Sequence, residues 1–170
     1  QLLRRAGAAR IIALDRNPPR LALAEHCGAH LCLQLPTHGS ISPYDAAGSI
    51  LRATRNQGVD IAFDTAGSTD APALCVEALR KGGTVTLVGN TLRSIPFPLQ
   101  MAVVKELTVH TAMTATDEMP ACVAMLADGS IDVAPLISAV GPLADGPAYF
   151  DRIRSRDRSL VKVLLIPGGP

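Results

Sequence analysis

The sequence contains no tryptophan, and aromatic residues make up 3% of its 170 positions. Such a chain offers few rings on which nucleic-acid bases can stack. It also has no excess of either charge, because 16 Lys and Arg residues face 15 Asp and Glu residues. A net charge this close to neutral argues against nucleic acid or an anionic membrane surface as the main partner.

Long apolar stretches are missing as well. No run approaches the ~18 residues of a membrane-spanning helix, and residues 1–5 lack the apolar core of a secretory signal. The chain does not start with Met, which predicts a fragment or a processed product. Its four cysteines form no CxxC pair, so we expect reduced, buried thiols and a cytoplasmic protein.

One group of metal-binding residue types stands close together, namely His26, Cys27, His30 and Cys32. Gly28 is expected to end a helix between them, so that their side chains diverge. The repeated pair spacing of a zinc site is also missing. The sequence therefore predicts packing and helix-end roles for these four residues, and no metal site in this chain.

Short apolar segments alternate with helix-length amphipathic ones, and hydrophobic residues reach 48%. This alternation is typical of an α/β protein with a doubly wound parallel sheet and helices on both faces. The predicted strands cover residues 11–14, 31–33, 60–63, 84–88 and 107–111. After Gly129 the rhythm changes, with a helix predicted at residues 143–155 and a strand at residues 160–166.

Asp15 is the most informative residue, because it ends a strand. Ligands of a doubly wound sheet bind at the carboxyl ends of its strands. A carboxylate there can accept hydrogen bonds from both hydroxyls of an adenosine ribose, and it would repel the 2′-phosphate of NADP. The alternative is a solvated loop carboxylate, since such sheets often end strands in Asp.

The phosphate-binding motif of such folds, G-x-G-x-x-G, does not occur in the 170 residues. The acidic residue normally follows that motif by about 20 positions, and counting back from Asp15 ends before Gln1. If Asp15 is the ribose acid, the chain therefore lacks both the first strand and the pyrophosphate loop.

Several segments follow one another in a specific order and spacing, at residues 10–15, 58–67, 78–89, 105–107, 131–137 and 161–163. Together they resemble the cofactor domain of the medium-chain dehydrogenase/reductase superfamily, and most of all its zinc-dependent alcohol, polyol and threonine dehydrogenase branch. The resemblance covers nearly the whole chain. It implies a Rossmann-like doubly wound parallel sheet without its first strand and glycine-rich loop. Residues 1–134 would form a partial NAD-binding domain, and residues 135–170 a tail that returns to the catalytic domain.

The same resemblance implies NAD as cofactor, a small alcohol as substrate and a homo-oligomeric intact enzyme. Its catalytic zinc and the zinc ligands would belong to a domain upstream of Gln1, so that this chain carries no catalytic residue. Asp15, Arg16 and Arg20 would lie at the adenosine ribose. The other implied cofactor contacts are Thr65 and Ala66 at the adenine-side ribose, Val88, Gly89 and Asn90 at the nicotinamide ribose, and Thr111, Ala112 and Met113 at the carboxamide.

Two other functions stay open at this point. One is a zinc-free quinone or enoyl reductase that uses NADPH, against which Asp15 speaks. The other is a non-catalytic nucleotide-binding or regulatory module. On its own the chain is expected to bind NAD weakly and to catalyse nothing, because the glycine-loop amides that hold a pyrophosphate are missing. Its tail is expected to have no partner, which would leave the strand at residues 160–166 exposed.

Overall fold

The structure, a computed structural model, describes residues 1–37, 39, 42–113 and 117–168. Contacts within the chain divide it into two units. The first unit joins Gln1–Gln34 to Thr116–Pro170, and the second unit is the continuous segment Leu35–Ala115.

Helices and strands alternate along the described residues. The helices are α1 (Leu2–Arg5), α2 (Pro18–His26), α3 (Pro43–Ala53), α4 (Ala71–Ala78), α5 (Leu99–Val104), α6 (Met119–Ala127) and α7 (Gly146–Arg154). The strands are β1 (Ile12–Asp15), β2 (Leu31–Gln34), β3 (Val59–Asp64), β4 (Leu79–Leu87), β5 (Thr108–Thr111), β6 (Ile137–Pro142) and β7 (Lys162–Ile166). Short 3-10 helices at Ala134–Leu136 and Leu143–Asp145 flank β6.

The second unit holds a three-stranded parallel sheet in the order β3-β4-β5. Its core is formed by side chains of α4 and β4, among which Val76, Leu79 and Val85 are fully buried. Ala47 and Ile50 of α3 are buried as well. Continuous apolar strand segments joined by helices therefore form the parallel α/β arrangement that the sequence predicts.

The first unit contains two separate parallel pairs. β1 pairs with β2 across the connection through α2, where Leu21 is buried. α2 begins with Pro18 and Pro19 in its first turn, as expected for residues without a free N–H.

The second pair of this unit, β6 with β7, lies wholly within residues 135–170, so the strand predicted at residues 160–166 is paired inside the tail. The absence of a partner domain for the tail stays a prediction. Val140 lies opposite Leu164, and Gly141 opposite Leu165, in a parallel register. Residues 137–142 were not recognised as a strand because Ser138, Gly141 and Pro142 interrupt the apolar pattern. The exposed face of the pair does carry apolar side chains, since Val140 is 47% exposed and Leu164 39%.

The parallel α/β class is confirmed. The sequence predicts one sheet, whereas in the structure β1-β2 and β3-β4-β5 are separate sheets.

One strand differs in length from its prediction. β4 begins at Leu79 instead of Thr84, because the segment with Gly82 and Gly83 lies inside the strand. The register shifts there, so that Val59 is opposite Leu79 while Ile61 is opposite Thr84. Gly82 has a φ of +69°, a conformation that suits glycine.

The four cysteines are free, but the expectation that they are buried is wrong. Cys27, Cys32 and Cys75 are half-buried and Cys122 is exposed. Among the described helices none has the length and apolar character needed to cross a bilayer. The domain boundary at residues 134/135 stays a prediction.

Candidate functional site

A buried carboxylate organises the carboxyl edge of the second unit. Asp64 ends β3 and is 3% exposed. Its Oδ1 accepts hydrogen bonds from the N–H groups of Ala66, at 2.9 Å, and Gly67, at 3.0 Å. Its main-chain carbonyl accepts the N–H groups of Val88 and Gly89, each at 2.8 Å. One residue therefore fixes both the loop after β3 and the loop after β4.

The two loops also touch through glycines. Gly67 has a φ of +59°, and a Cβ there would come within 2.7 Å of the carbonyl carbon of Gly89. A Cβ on Gly89 would overlap the backbone of Gly67. Thr91 Oγ1 adds a hydrogen bond to the carbonyl oxygen of Ala66 at 3.1 Å. The interlocked backbones leave no room for a side chain at either glycine.

The end of β5 joins the same edge. The Ala112 N–H donates to the Leu87 carbonyl at 3.1 Å, and Asn90 Nδ2 lies 3.6 Å from the sulfur of Met113. Met113 is 70% exposed. The structure thus brings together, at one edge of one sheet, the predicted residues Thr65, Ala66, Val88, Gly89, Asn90, Thr111, Ala112 and Met113.

An apolar cavity of about 220 Å³ lies beside this edge. Its lining includes Asp64 and Gly89 from the loops, Leu87 and Val109 from the strands, and Phe97 from the segment before α5. Burial raises the pKa of the nearby Cys75 thiol to about 12, and the charge of Asp64 adds to that effect.

In the first unit, Asp15 stands at the end of β1, as the sequence predicts. Its Oδ1 accepts the N–H of Asn17 at 2.8 Å, which fixes the carboxylate on its own loop. Its Oδ2 lies 3.9 Å from Arg20 Nη1, and the side chains are 33% and 51% exposed, respectively. Arg16 follows directly and is half-buried. One carboxylate oxygen is therefore held by the loop, while the other lies beside an exposed cation.

Sequence reasoning missed Asn17, which stands at the N-cap position of α2 but makes no side-chain capping hydrogen bond. Its Nδ2 donates to the carbonyl of Arg158 at 3.2 Å, so a turn of the tail contacts the loop of Asp15. Asn17 Oδ1 is buried and has no hydrogen-bond partner in the structure. The four hydrogen bonds that Asp64 accepts from the loops after β3 and β4, called the Asp64 clamp below, were not predicted either. The only sequence signal of this clamp is an acidic residue that ends a strand three positions before a glycine.

The described residues form no group of three or more His, Cys, Asp or Glu side chains that would suit a metal ion. A cavity of about 420 Å³ in the first unit is lined mainly by polar and basic residues, including Gln1, Arg4, Arg5, His26 and Asp132. Gln1 spans part of it, because its amide donates to the Asp132 carbonyl at 2.7 Å and accepts the Asp132 N–H at 2.8 Å. A tetrahedral zinc site needs a different donor set.

Parallel strands joined by helices, with an acidic residue at the end of β1 and glycine loops at the ends of β3 and β4, define an α/β protein of the dinucleotide-binding class. The zinc-binding dehydrogenase family model matches residues 1–128. The chain belongs to this family, within the medium-chain zinc-dependent branch.

Relatives of known name agree with this assignment. L-idonate 5-dehydrogenase of Vitis vinifera is 33% identical over 132 residues, which cover 78% of this chain and 36% of that protein. Sorbitol dehydrogenase of Macaca fascicularis is 28% identical over 87% of this chain and 40% of that protein. The solved structure of the alcohol dehydrogenase TADH from Thermus sp. ATN1 superposes with a TM-score of 0.83, at 28% identity over 97% of this chain and 46% of that one. The chain thus spans less than half the length of these relatives.

Proposed function

We propose that this chain is the carboxyl-terminal part of an oxidoreductase that transfers a hydride between an alcohol or polyol and NAD. The observation that carries the proposal is Asp15, placed at the end of β1 in a chain whose family model covers residues 1–128. The idonate and sorbitol dehydrogenases among its relatives favour a polyol as the substrate class.

The residues of each unit fit a nicotinamide dinucleotide. In the first unit, the Asp15 carboxylate is oriented by Asn17 and partly exposed, which suits it to accept hydrogen bonds from ribose hydroxyls. In the second unit, the loops of Gly67 and Gly89 meet at the carboxyl ends of β3 and β4, which is where ligands of such sheets bind. NAD, when bound, supplies the hydride acceptor. The role of this chain is to bind the cofactor and orient its nicotinamide ring.

The described residues do not offer a zinc donor set. Zinc and its ligands belong, in this proposal, to a catalytic domain outside these residues. There zinc supplies Lewis-acid activation of the alcohol oxygen. The proposal also includes a cytoplasmic enzyme, which the free cysteines support, and a homo-oligomer, which the family resemblance implies.

Cofactor choice tests the proposal most directly. In the complete gene product, NAD should be used better than NADP, because Asp15 favours ribose hydroxyls and repels a 2′-phosphate. Asp15→Ala should lower kcat/KM for NAD by roughly 10- to 100-fold, the effect of losing hydrogen bonds to a charged group. The same substitution should also reduce the ratio of kcat/KM for NAD to kcat/KM for NADP. Steady-state rates with sorbitol, xylitol and idonate as substrates give the measurement.

Asp60→Ala is the matched control, since Asp60 is an exposed carboxylate in a surface ion pair with Arg80 and should leave cofactor choice unchanged. The 170-residue chain, assayed beside the complete product, should show no polyol-dependent NADH formation. Equal kcat/KM values for NAD and NADP in the unmutated protein would show that Asp15 does not determine the choice of cofactor. Absence of polyol oxidation with both cofactors would refute the proposed activity.

A further inference from the structure

Four backbone N–H groups from two loops donate hydrogen bonds to Asp64. Two of them, from Ala66 and Gly67, reach its Oδ1, and two, from Val88 and Gly89, reach its carbonyl oxygen. The first two bonds depend on the side chain, so Ala at position 64 would remove them and leave the other pair in place.

The burial of Asp64 makes the conformation of both loops depend on its carboxylate. Asp64 is 3% exposed and lines an apolar cavity, and a charge buried in this way is stable where hydrogen bonds satisfy it. Hydrogen bonds to a carboxylate are shorter and stronger than those between neutral groups. Because Gly67 packs directly on Gly89, a displacement of the loop after β3 must also displace the loop after β4.

We propose that Asp64 is a positioning residue for the nicotinamide half of the cofactor. It does not touch the ligand. It holds the backbone of residues 65–67 and, through the contact of Gly67 with Gly89, the backbone of residues 88–90 in the conformation that receives the nicotinamide nucleotide. The proposal thus assigns Thr65 and Ala66 to the nicotinamide half, because their loop packs on residues 88–90, and replaces the adenine-side role that the family resemblance implies for them. The inference rests on the proposed function, and it gives Asp64 a role different from that of Asp15, which would contact the ribose itself.

Substitutions at this position have graded consequences. Asn at position 64 keeps an oxygen that can accept the Ala66 and Gly67 N–H groups, but as a neutral and weaker acceptor. Its NH2 group would also need a partner at the border of an apolar cavity. Ala removes the acceptor altogether and leaves two N–H groups unsatisfied. Asp64→Ala should therefore have the larger effect and Asp64→Asn an intermediate one.

The experiment compares two ligands in the complete gene product. Titration followed by the fluorescence emission of NADH gives the dissociation constant of NADH directly. Competition against NADH gives the dissociation constant of AMP, which contains the adenosine half of the cofactor alone. Asp64→Ala should weaken NADH binding roughly tenfold or more, since a misplaced loop loses at least one hydrogen bond's worth of affinity. AMP binding should change by less than about threefold. Asp64→Asn should fall between Asp64→Ala and the unmutated protein.

Lys105→Met is the matched control for a loss of stability away from the loops. It removes three hydrogen bonds to main-chain carbonyls. Lys105 lies before β5, at the opposite end of the sheet from the loops. The substitution should change neither affinity by more than about twofold at temperatures where all variants are folded. If Asp64→Ala does not fold, Asp64→Asn decides the test.

Unchanged NADH binding in the position-64 variants would overturn the inference, and so would an equal loss for NADH and AMP, which indicates general loosening. If the unmutated protein binds no NADH, the proposed function fails and this inference fails with it. Tight NADH binding by the unmutated protein with no effect at position 64 refutes the inference alone.

Discussion

Lys105 provides a quantitative test of what stabilises the second unit. Its ammonium donates to three main-chain carbonyls, those of Val76 at 2.9 Å, Glu77 at 2.8 Å and Leu79 at 3.0 Å. Two of these carbonyls belong to the last turn of α4, whose final carbonyls have no partner within the helix. A cation at the carboxyl end of a helix also interacts favourably with the helix dipole. Lys105→Met keeps the length of the side chain and removes all three hydrogen bonds.

The expected loss follows from the hydrogen bonds and the desolvation of the ammonium. A hydrogen bond to a charged group contributes about 1.5–3 kcal/mol, and three carbonyls without partners add to the cost of the substitution. Burial lowers the pKa of Lys105, while the charge of Glu77 acts in the opposite direction, so desolvation offsets part of the gain. We expect Lys105→Met to reduce the free energy of unfolding by about 3 kcal/mol, which corresponds to roughly 6–12 °C in Tm for a chain of this size.

Thermal and urea unfolding, followed by circular dichroism, measure the effect. Lys81→Met is the matched control, because Lys81 makes a surface ion pair with Glu106 at 2.9 Å in which both side chains are more than two-thirds exposed. Exposed pairs contribute about 0–1 kcal/mol. If Lys105→Met and Lys81→Met differ by less than about 0.5 kcal/mol, the three hydrogen bonds do not have the role assigned to them.

Two further predictions concern titration. The Ser159 hydroxyl and N–H, followed by the Arg152 guanidinium, lower the pKa of Asp157 from 3.8 to about 2, so its stabilising effect is complete above pH 3.8 and is lost as the pH falls through about 2. Carboxyl NMR should show Ser159→Ala moving this pKa back toward 3.8, and an unchanged value would contradict the assigned cause. At pH 8, a thiol reagent should modify the exposed Cys122 before Cys75, because the pKa of Cys75 is raised to about 12. Peptide mapping gives the order of labelling, Cys122→Ser removes the fast phase, and fast labelling of Cys75 in the native state would refute the prediction.

The sequence predicted the parts of the structure that depend on local pattern. The apolar segment ending in Asp15, and the strand–helix alternation through residue 111, gave the parallel α/β class and the edge on which the loop residues gather. β6 escaped prediction because its strand character comes from pairing with β7 rather than from an apolar run. The Asp64 clamp escaped prediction because its hydrogen bonds join loops about 20 residues apart. Which N–H groups a carboxylate will accept depends on the packed backbone and is not visible in residue order.

The division of the chain into units has a consequence for the order of folding. The second unit is one continuous stretch, Leu35–Ala115, so its contacts are closed by short connections, which favours fast formation. The first unit is assembled from two stretches separated by that segment, and its contacts include Gln1 with Asp132 and Asn17 with Arg158. During synthesis at roughly 5–20 residues per second, β1 and α2 must wait several seconds for the residues that complete their unit. Among these 170 residues, the segment of β1, α2 and β2 therefore stays longest without its partners.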